Sequence, residues 1–551
     1  MFDSGIFDRN LLSLSLHNEE LAIELTHTKT NSSISFKTSR TGCLVPFIVH
    51  NQREYSLHSL FDPEKEARRY SDSIKVGGYI VVLGFGAGYH IKALLDRKDI
   101  NSILIIDRNI ELFKSILGAI DLSDILSDPR VTLLVDKSPD YIKDFLPSNY
   151  LPAVTGDFST ISLRSRIESE KEYFNSVLNS IRNVLDTLSD DYTVQTWFGK
   201  RWFVNTVANL KSAEKAVTVL PPVRDVIIAA AGPSLEMQLN DLLQKSAENF
   251  LISTDTALSC LLKNGIKPDL VISIDCQQIT YHHFMAGFPK DIPLVMDMAS
   301  PPLLSRLSDK TFFFASAHPF SKYINRNWRK FPFVDTSGGN VTHAAISLAD
   351  KLGARSIRIY GADFSYPEGK SYARGTYIYP YFTSKSIRTE PLESEFYRFL
   401  YRNDNITMLK TEYGYRYQTR PMLSYKERLE SFAENINAGI IPVYGLGEPI
   451  SVPVKKPASP SSQFFSAGVC RTSWREFLSS YKTKLKNLNV PDIPPSRYLA
   501  GLDFTDLDIW TTLFPAAAVL RKKYRDTDIT SPEILREIRK WALDVIEQNL
   551  D

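Results

Sequence analysis

The sequence lacks several features that would place it in a specialised class of protein. Its 551 residues include four cysteines, too few and too scattered for a disulfide framework or a zinc site. No apolar run reaches the roughly 18 residues that a membrane-spanning helix needs. The N-terminus shows no basic segment followed by an apolar one, so no secretory signal is predicted. We therefore expect a cytoplasmic protein with reduced thiols and no membrane contact.

Net charge is also nearly absent. Lysine and arginine number 65 against 63 aspartates and glutamates, so no general attraction for nucleic acid is expected. Apolar residues make up 43% and charged residues 23%, which excludes a disordered or fibrous chain. The chain is too long to fold around a single hydrophobic core. We therefore expect a multidomain α/β protein with a Rossmann-like N-terminal unit, a central doubly wound parallel sheet and a helical C-terminal region.

The order of apolar runs, prolines and glycines predicts six segments. In the first, residues 21–25, 33–38 and 44–49 alternate apolar and polar side chains and predict short strands. The predicted segments are a small β-rich region at 1–75, a Rossmann-like domain at 76–159, a helical connector at 160–220, a central catalytic domain at 221–450, a linker at 451–464 and a helical domain at 465–551.

A glycine-rich turn marks the Rossmann-like segment. Gly84, Gly86 and Gly88 follow a predicted strand, and Asp107 ends the next strand about 20 residues later. In dinucleotide-binding units the acid at this position meets a ribose hydroxyl. Such turns also occur in units that bind nothing, so a ligand at these four residues is left open.

Two loops of the central segment combine glycine with a following predicted helix. Glycine allows a ligand to approach the backbone, and a helix start offers free N–H groups and a positive dipole end, which favour phosphate. Each loop alone could simply be a turn, but together they predict a nucleotide site. The loops are Gly232, Pro233 and Ser234 after the strand 226–231, and Ser337, Gly338, Gly339 and Asn340 before the helix 341–352.

Acids and aromatic residues follow other central strands. Asp255, Asp275 and Asp363 each lie at or just after a predicted strand end, where ligands of such sheets bind. Tyr372 and Arg374 could contact a sugar or phosphate, although packing on the sheet explains the tyrosine equally well. No Asp-x-Asp occurs in these strands and no His or Cys cluster suggests zinc, so no metal site is predicted, while Mg²⁺ stays possible.

Several of these segments, taken in order, resemble a known family. Residues 230–235, 253–258, 265–275, 337–341 and 360–364 resemble the central domain of the motility-associated factor (Maf) glycosyltransferases, and residues 62–67, 84–90 and 201–210 resemble its N-terminal part. The resemblance implies a GT-A or sialyltransferase-like central sheet. That domain is also similar to bacterial sialyltransferases and to MptE-like pyrophosphokinases, so fold alone does not settle the chemistry.

The resemblance implies transfer of a nonulosonic acid, pseudaminic or legionaminic acid, from its CMP-activated form to serine or threonine of flagellin, supporting flagellum assembly and motility. No cofactor beyond this donor is expected, and the oligomeric state is open. By position, Gly232, Ser234, Asp255 and residues 337–340 would contact the nucleotide, with Asp275 and Asp363 nearer the sugar. The alternatives are an MptE-like pyrophosphokinase using ATP and Mg²⁺, and a non-catalytic flagellar assembly factor.

The catalytic base is not assigned by the sequence. Resemblance to the sialyltransferases implies a histidine after Asp363, but the last histidine of this chain is His343. Asp275, Asp363, His318 and His343 could each accept the proton of the acceptor hydroxyl. Each of them has a structural interpretation that is at least as good.

Overall fold

The computed structural model describes residues 2–31, 33–50, 53–75, 77–412, 414–455, 465–493, 495–524 and 531–551. The chain divides into two compact units, one formed by residues 1–200 and 485–542 and the other by residues 201–484 and 543–551. Within the described ranges, every helix falls short of the length or the hydropathy that crossing a bilayer requires. The six-segment division stays a prediction, and part of its linker, residues 456–464, lies outside the described residues.

The first unit contains a parallel sheet in the order β6-β5-β4-β7 and an antiparallel sheet in the order β1-β2-β3. Every residue of strand β4 is buried, as expected for a strand covered on both faces. The elements up to the end of the connector are α1 Ser4–Ser15, α2 Glu19–His27, β1 Ile34–Thr38, β2 Leu44–His50, β3 Arg53–Ser56, α3 Pro63–Ser73, β4 Gly78–Leu83, α4 Tyr89–Leu95, β5 Ile100–Asp107, α5 Ile110–Leu117, α6 Ser123–Leu126, β6 Val131–Val135, α7 Pro139–Asn149, α8 Pro152–Thr155, β7 Phe158–Ser162, α9 Arg164–Ser169 and α10 Lys171–Lys215.

The prediction of a strand at residues 21–25 is wrong, because this segment lies in helix α2. Asn18 caps the helix by accepting a hydrogen bond from the N–H of Leu21 at 3.0 Å. Leu21 and Leu25 are both buried, and their spacing of four is also the spacing of one helical face. The five-residue window was too short to separate the two periods. Residues 34–38 and 44–50 do form strands.

The remaining elements include the large parallel sheet of the second unit. Two short 3-10 helices, Gln278–Phe284 and Pro302–Arg306, follow strands of this sheet. The elements are β8 Val219–Leu220, β9 Asp225–Ala229, α11 Leu235–Ser246, β10 Phe250–Thr254, α12 Asp255–Lys263, β11 Leu270–Ser273, β12 Leu294–Asp297, β13 Thr311–Phe314, α13 Pro319–Asn327, α14 Val341–Lys351, β14 Ser356–Tyr360, β15 Tyr366–Pro367, α15 Ile378–Thr383, α16 Leu392–Leu400, β16 Thr407–Thr411, β17 Gly414–Gln418, α17 Arg420–Asn435, β18 Gly439–Pro442, β19 Phe465–Ser466, α18 Trp474–Asn487, α19 Pro495–Ala500, α20 Phe504–Lys523 and α21 Ser531–Leu550.

The large sheet has seven parallel strands in the order β13-β12-β11-β10-β9-β14-β18. The chain builds outwards from β9 to β13 and then returns to the other side of β9 with β14. This reversal creates a switch point between β9 and β14, where doubly wound sheets bind ligands beyond the carboxyl ends of their strands. The doubly wound architecture is confirmed. Strand β18 was not predicted, since its four residues end in proline, which only an edge strand tolerates.

Helices cover both faces of this sheet. Alternate residues of β9 point to opposite faces, so Val226 and Ile228 join one apolar cluster while Ile227 and Ala229 join another. The first cluster contains residues of α14 and α17, and the second contains residues of α11 and α12. This packing fixes the strand ends on which the predicted site residues lie.

Candidate functional site

The Gly232–Ser234 turn lies at the switch point, beside the loop that follows β14. The N–H of Ser234 donates to Asp363 at 2.8 Å, and the Ser234 hydroxyl donates to the same carboxylate. Ser234 Oγ also accepts from the N–H of Leu446 at 2.7 Å. A Cβ on Gly232 would lie 2.4 Å from an oxygen of Asp363, so only glycine fits here. Asp363 and Ser234 therefore connect three loops by hydrogen bonds: the loop after β9, the loop after β14 and the loop that contains Leu446.

This arrangement corrects the expectation that the turn offers free N–H groups. The backbone N–H groups of the turn and of the first residues of α11 donate to acceptors within the protein. The bonds run from Gly232 to Gly361, from Ser234 to Asp363, from Leu235 to Gly232 and from Glu236 to Pro233. Burial raises the pKa of Asp363, although the bonds from Ser234 oppose that shift. Its part in proton transfer stays a prediction.

The loop from Ser337 to Asn340 retains the properties of an anion site. Asn340 caps α14 by accepting the His343 N–H at 3.0 Å, while the amides of Val341 and Thr342 precede the first intrahelical bonds. Gly339 adopts a φ of 73°, and a Cβ there would lie 2.9 Å from the ring of Tyr425. This helix start is therefore better suited to phosphate than the start of α11.

Two residues of α17 border this loop and were missed by the sequence analysis. Arg428 donates to the carbonyl of Ser337 at 3.2 Å, and Tyr425 lies against Gly339. Burial raises the pKa of Tyr425, the charge of Arg428 lowers it, and the Asp275 carboxylate raises it further. Tyr425 thus connects the loop electrostatically with Asp275. Nothing local in the sequence marks either residue, since they lie about 90 positions downstream.

Two carboxylates occupy the ends of neighbouring strands. Asp255 begins α12 and is buried. It accepts hydrogen bonds from the Ser273 hydroxyl at 2.7 Å and from the backbone N–H of the next residue, Thr256, at 2.7 Å. Asp275 follows β11, is half-buried and accepts from the Gln277 N–H at 2.9 Å. Burial raises the pKa of Asp275, and the nearby Asp255 charge adds to the rise. Asp275 can therefore take up a proton more readily than an ordinary aspartate.

His283 accompanies this carboxylate pair. Burial lowers the pKa of His283, while Asp255 and Asp275 partly oppose the shift. Its ring packs edge-on against Tyr377, with 4.4 Å between the ring centroids. Its Nδ1 has no hydrogen-bond partner within the described part of the chain. The sequence analysis did not consider His283, although two adjacent histidines seven and eight residues after Asp275 were a usable signal.

Tyr372 and Tyr377 belong to the same neighbourhood, whereas Arg374 does not. Burial raises the pKa of both tyrosines, and the Asp255 and Asp275 charges contribute to each shift. Both hydroxyls are therefore protonated donors at neutral pH. The exposed Arg374 instead lies beside Glu236. Its backbone N–H donates to the Glu236 carboxylate at 2.9 Å, and its guanidinium lies 4.0 Å from the same carboxylate.

The two histidines proposed as bases lie elsewhere. The His343 ring packs under Gly338, where a Cβ would come within 2.2 Å of its Cγ, and its Nε2 lies 3.6 Å from Asp335. His318 packs on Trp202 with 4.2 Å between ring centroids. Burial lowers the pKa of both histidines. The part of His318 and His343 in proton transfer stays a prediction.

The glycine-rich turn of the first unit is filled by its own chain. Asp107 accepts from the Phe85 N–H at 2.8 Å and pairs with Arg166 at 2.5 Å. His58 accepts the Ala87 N–H at 2.8 Å through Nε2. The Asp107 oxygens expected at a ribose are thus already bonded. A ligand at Gly84, Gly86, Gly88 and Asp107 stays a prediction, and it would have to displace these contacts.

Metal coordination has little support in the geometry. Across the residues that the structure describes, no group of three or more His, Cys, Asp or Glu side chains is placed to hold an ion. Asp255 and Asp275 could supply two carboxylates to a divalent ion that a nucleotide brings with it. Metal dependence stays a prediction.

Family comparisons bear on both units. Residues 17–142 match the glycosyltransferase Maf N-terminal domain, and residues 200–369 match the 6-hydroxymethylpterin diphosphokinase MptE-like domain. The N-terminal region is thus similar to the Maf glycosyltransferases, and the central region is similar to the MptE-like domain. The MptE-like region carries the strand ends, carboxylates and loops described above.

One solved structure shares the fold, and proteins of a second organism are similar in sequence. The solved structure of the MAf glycosyltransferase from Magnetospirillum magneticum AMB-1 is 15% identical, with a TM-score of 0.56, over 100% of this chain and 95% of that one. Two uncharacterized proteins of Treponema pallidum (strain Nichols) are also similar. One is 35% identical over 27% of this chain and 54% of its own length, and the other 28% identical over 29% and 79%. The matched region thus spans about half of the first relative.

Proposed function

We propose that this protein is a glycosyltransferase that moves a nonulosonic acid, pseudaminic or legionaminic acid, from its CMP-activated form to serine or threonine of flagellin in the cytoplasm. The match to the Maf N-terminal domain and the fold shared with a MAf glycosyltransferase support the reaction class. The observation that carries the proposal is the position of Asp275 just after strand β11, beside the neighbouring strand β10 that leads into Asp255. Burial and the Asp255 charge raise the pKa of Asp275, which suits it to accept a proton.

Each step of the transfer has a group suited to it. The bond between the anomeric carbon and the CMP phosphate breaks, and its electron pair leaves with CMP. The acceptor hydroxyl forms the new bond and gives its proton to Asp275, which must be ionised to accept it. The amides of Val341 and Thr342 would stabilise the departing phosphate, as would Arg428.

The direct test is the mass of flagellin after incubation with the protein and a CMP-activated nonulosonic acid. The wild type is expected to add one or more sugar residues, and Asp275→Asn to lose about a hundredfold to ten-thousandfold of the rate, as for loss of a general base. Asp291→Asn, an exposed aspartate paired with Lys267, is the matched control and should retain activity. Unmodified flagellin after incubation with a protein that binds CMP would refute the proposal.

The MptE-like match supports a second candidate, a pyrophosphokinase that uses ATP and Mg²⁺. This activity would release AMP, which nucleotide chromatography detects. Calorimetric titration with CMP and with ATP separates the candidates, since the glycosyltransferase should prefer CMP in the presence of EDTA. Nucleotide binding without glycosylation or AMP release would instead favour a non-catalytic flagellar assembly factor.

A further inference from the structure

Two asparagines of helix α10 bind the loops that follow strands β11 and β12, and the first of these loops carries Asp275. Asn205 and Asn209 are four residues apart, so they share one face of the helix, and both are buried. Asn205 Nδ2 donates to the carbonyls of Cys276 at 3.0 Å and Ala299 at 2.8 Å. Asn209 Nδ2 donates to the carbonyls of Met298 at 2.9 Å and Ser300 at 2.8 Å.

These carbonyls lie just beyond the sheet. Strand β11 ends at Ser273 and strand β12 ends at Asp297, so the following peptide groups have left the ladder of strand hydrogen bonds. A side-chain amide carries two donor hydrogens, and each asparagine donates both of them to backbone carbonyls that follow the strand ends. The helix therefore replaces the missing strand partners, and a buried carbonyl without a partner would destabilise the loop.

The two asparagines differ in what they hold. Asn205 bridges the loops after β11 and β12, and one of its acceptors belongs to Cys276, the residue directly after Asp275. Among the described residues, the Asn209 side chain bonds only to the loop after β12. Asp275 is otherwise restrained by its own neighbour Gln277, at 2.9 Å from the backbone N–H. The position of Asp275 therefore depends on Asn205 more directly than on Asn209.

We propose that Asn205 is a positioning residue that fixes the Asp275 carboxylate, whereas Asn209 contributes to stability alone. The catalytic meaning of this inference rests on the proposed function. Displacing a reacting group by about 1 Å can cost about a hundredfold in rate. Asn205 thereby links residues 201–210, a segment without an assigned role, to the chemistry at the end of β11.

The test compares Asn205→Ala with Asn209→Ala in the full-length protein. Both variants remove two donors and should lower the midpoint of thermal unfolding by a similar amount, roughly 2 to 8 °C. Per folded molecule, Asn205→Ala should lower kcat by about a hundredfold with an unchanged KM for the donor, whereas Asn209→Ala should change kcat less than about threefold. Adding Asn205→Ala to Asp275→Asn should cause no further loss of rate.

A second readout does not depend on activity. Hydrogen exchange at the Gln277 amide, which is bonded to Asp275, should accelerate at least about tenfold in Asn205→Ala and stay near the wild-type rate in Asn209→Ala. Equal loss of kcat in the two variants, or unchanged exchange in Asn205→Ala, would overturn the positioning role. If the wild type transfers no sugar, the proposed function fails, and the exchange measurement still decides whether Asn205 orders the Asp275 segment.

Discussion

The two units each contain a glycine-rich turn that leads into a helix, yet the surroundings of the two turns differ. In the first unit, Arg166 and His58 occupy the polar positions around the Gly84–Gly88 turn. In the second, the amides of Val341 and Thr342 at the start of α14 have no acceptor among the residues that the structure describes, and Arg428 lies beside the loop. The local sequence is similar, so the difference comes from side chains that other segments contribute. A glycine pattern thus identifies a turn, whereas its neighbours decide whether the turn can bind.

The largest effect on stability should come from removing Arg166, the cation that pairs with Asp107 beside the Gly84–Gly88 turn. Arg166→Met leaves the buried Asp107 carboxylate without its partner, and breaking a buried pair costs about 3–5 kcal/mol. Urea unfolding should show this loss in the first unit. Arg164→Met is the matched control, because Arg164 pairs with Glu168 on the exposed surface and its loss should have no measurable effect. Equal stability of the two variants would show that the Asp107 pair does not hold the turn together.

A methyl group at each turn tests which of them binds nucleotide. In Gly339→Ala the new Cβ would lie 2.9 Å from the Tyr425 ring at a backbone φ of 73°, so the turn must shift. We expect CMP affinity to fall about tenfold to a hundredfold, equivalent to about 1–3 kcal/mol of overpacking. Gly86→Ala, which has a φ of 58° and would contact His58 at 2.5 Å, should destabilise the first unit without changing CMP affinity. Calorimetric titration of both variants measures the contrast, and a loss of CMP binding in Gly86→Ala alone would reverse it.

The sequence predicted the scaffold of the second unit better than its site. The strand predicted at residues 226–231 exists as β9, because an apolar run ending at a glycine is a local signal. Asp255 and Asp275 lie together because parallel strands end at one edge. Tyr425 and Arg428 had no comparable signal, since tertiary packing brings them to the site from a distant segment, whereas His283 follows Asp275 by eight residues. The Gly232–Ser234 turn shows the reverse error, because its amides are bonded by groups that local sequence does not reveal.

The filled turn should also make the first unit sensitive to acid. Burial lowers the pKa of His58 to about 3 and that of His90 to about 4. The unfolded chain binds a proton at His58 below about pH 6.5, whereas the folded protein binds it only near pH 3, so acid favours unfolding. At pH 5 this difference amounts to about 2 kcal/mol for His58.

Substituting His58 by glutamine should remove this part of the acid sensitivity. The glutamine side chain is uncharged, and its oxygen can still accept the Ala87 N–H. Unfolding free energies at pH 7 and pH 5 should therefore converge by about 2 kcal/mol relative to the wild type. His27→Gln, on an exposed position of α2, controls for the substitution itself. If His58→Gln and the wild type lose the same stability between these two values of pH, His58 is not the acid-sensitive group.

The smallest effect should come from the exposed edge of the second unit, at Arg428. Its guanidinium donates to the Ser337 carbonyl and lies near the Gly339 backbone, where a phosphate would bind. Solvent and salt screen an exposed cation, so Arg428→Met should weaken CMP binding only about threefold, and less at high ionic strength. Arg420→Met, at an exposed position in the first turn of the same helix, should leave affinity unchanged. In the first turn, a buried arginine, Arg166, pairs with the carboxylate of Asp107. In the second, the exposed Arg428 lies beside the first amides of α14. A salt-dependent loss of CMP affinity that is confined to Arg428→Met would therefore identify the second turn as the anion site.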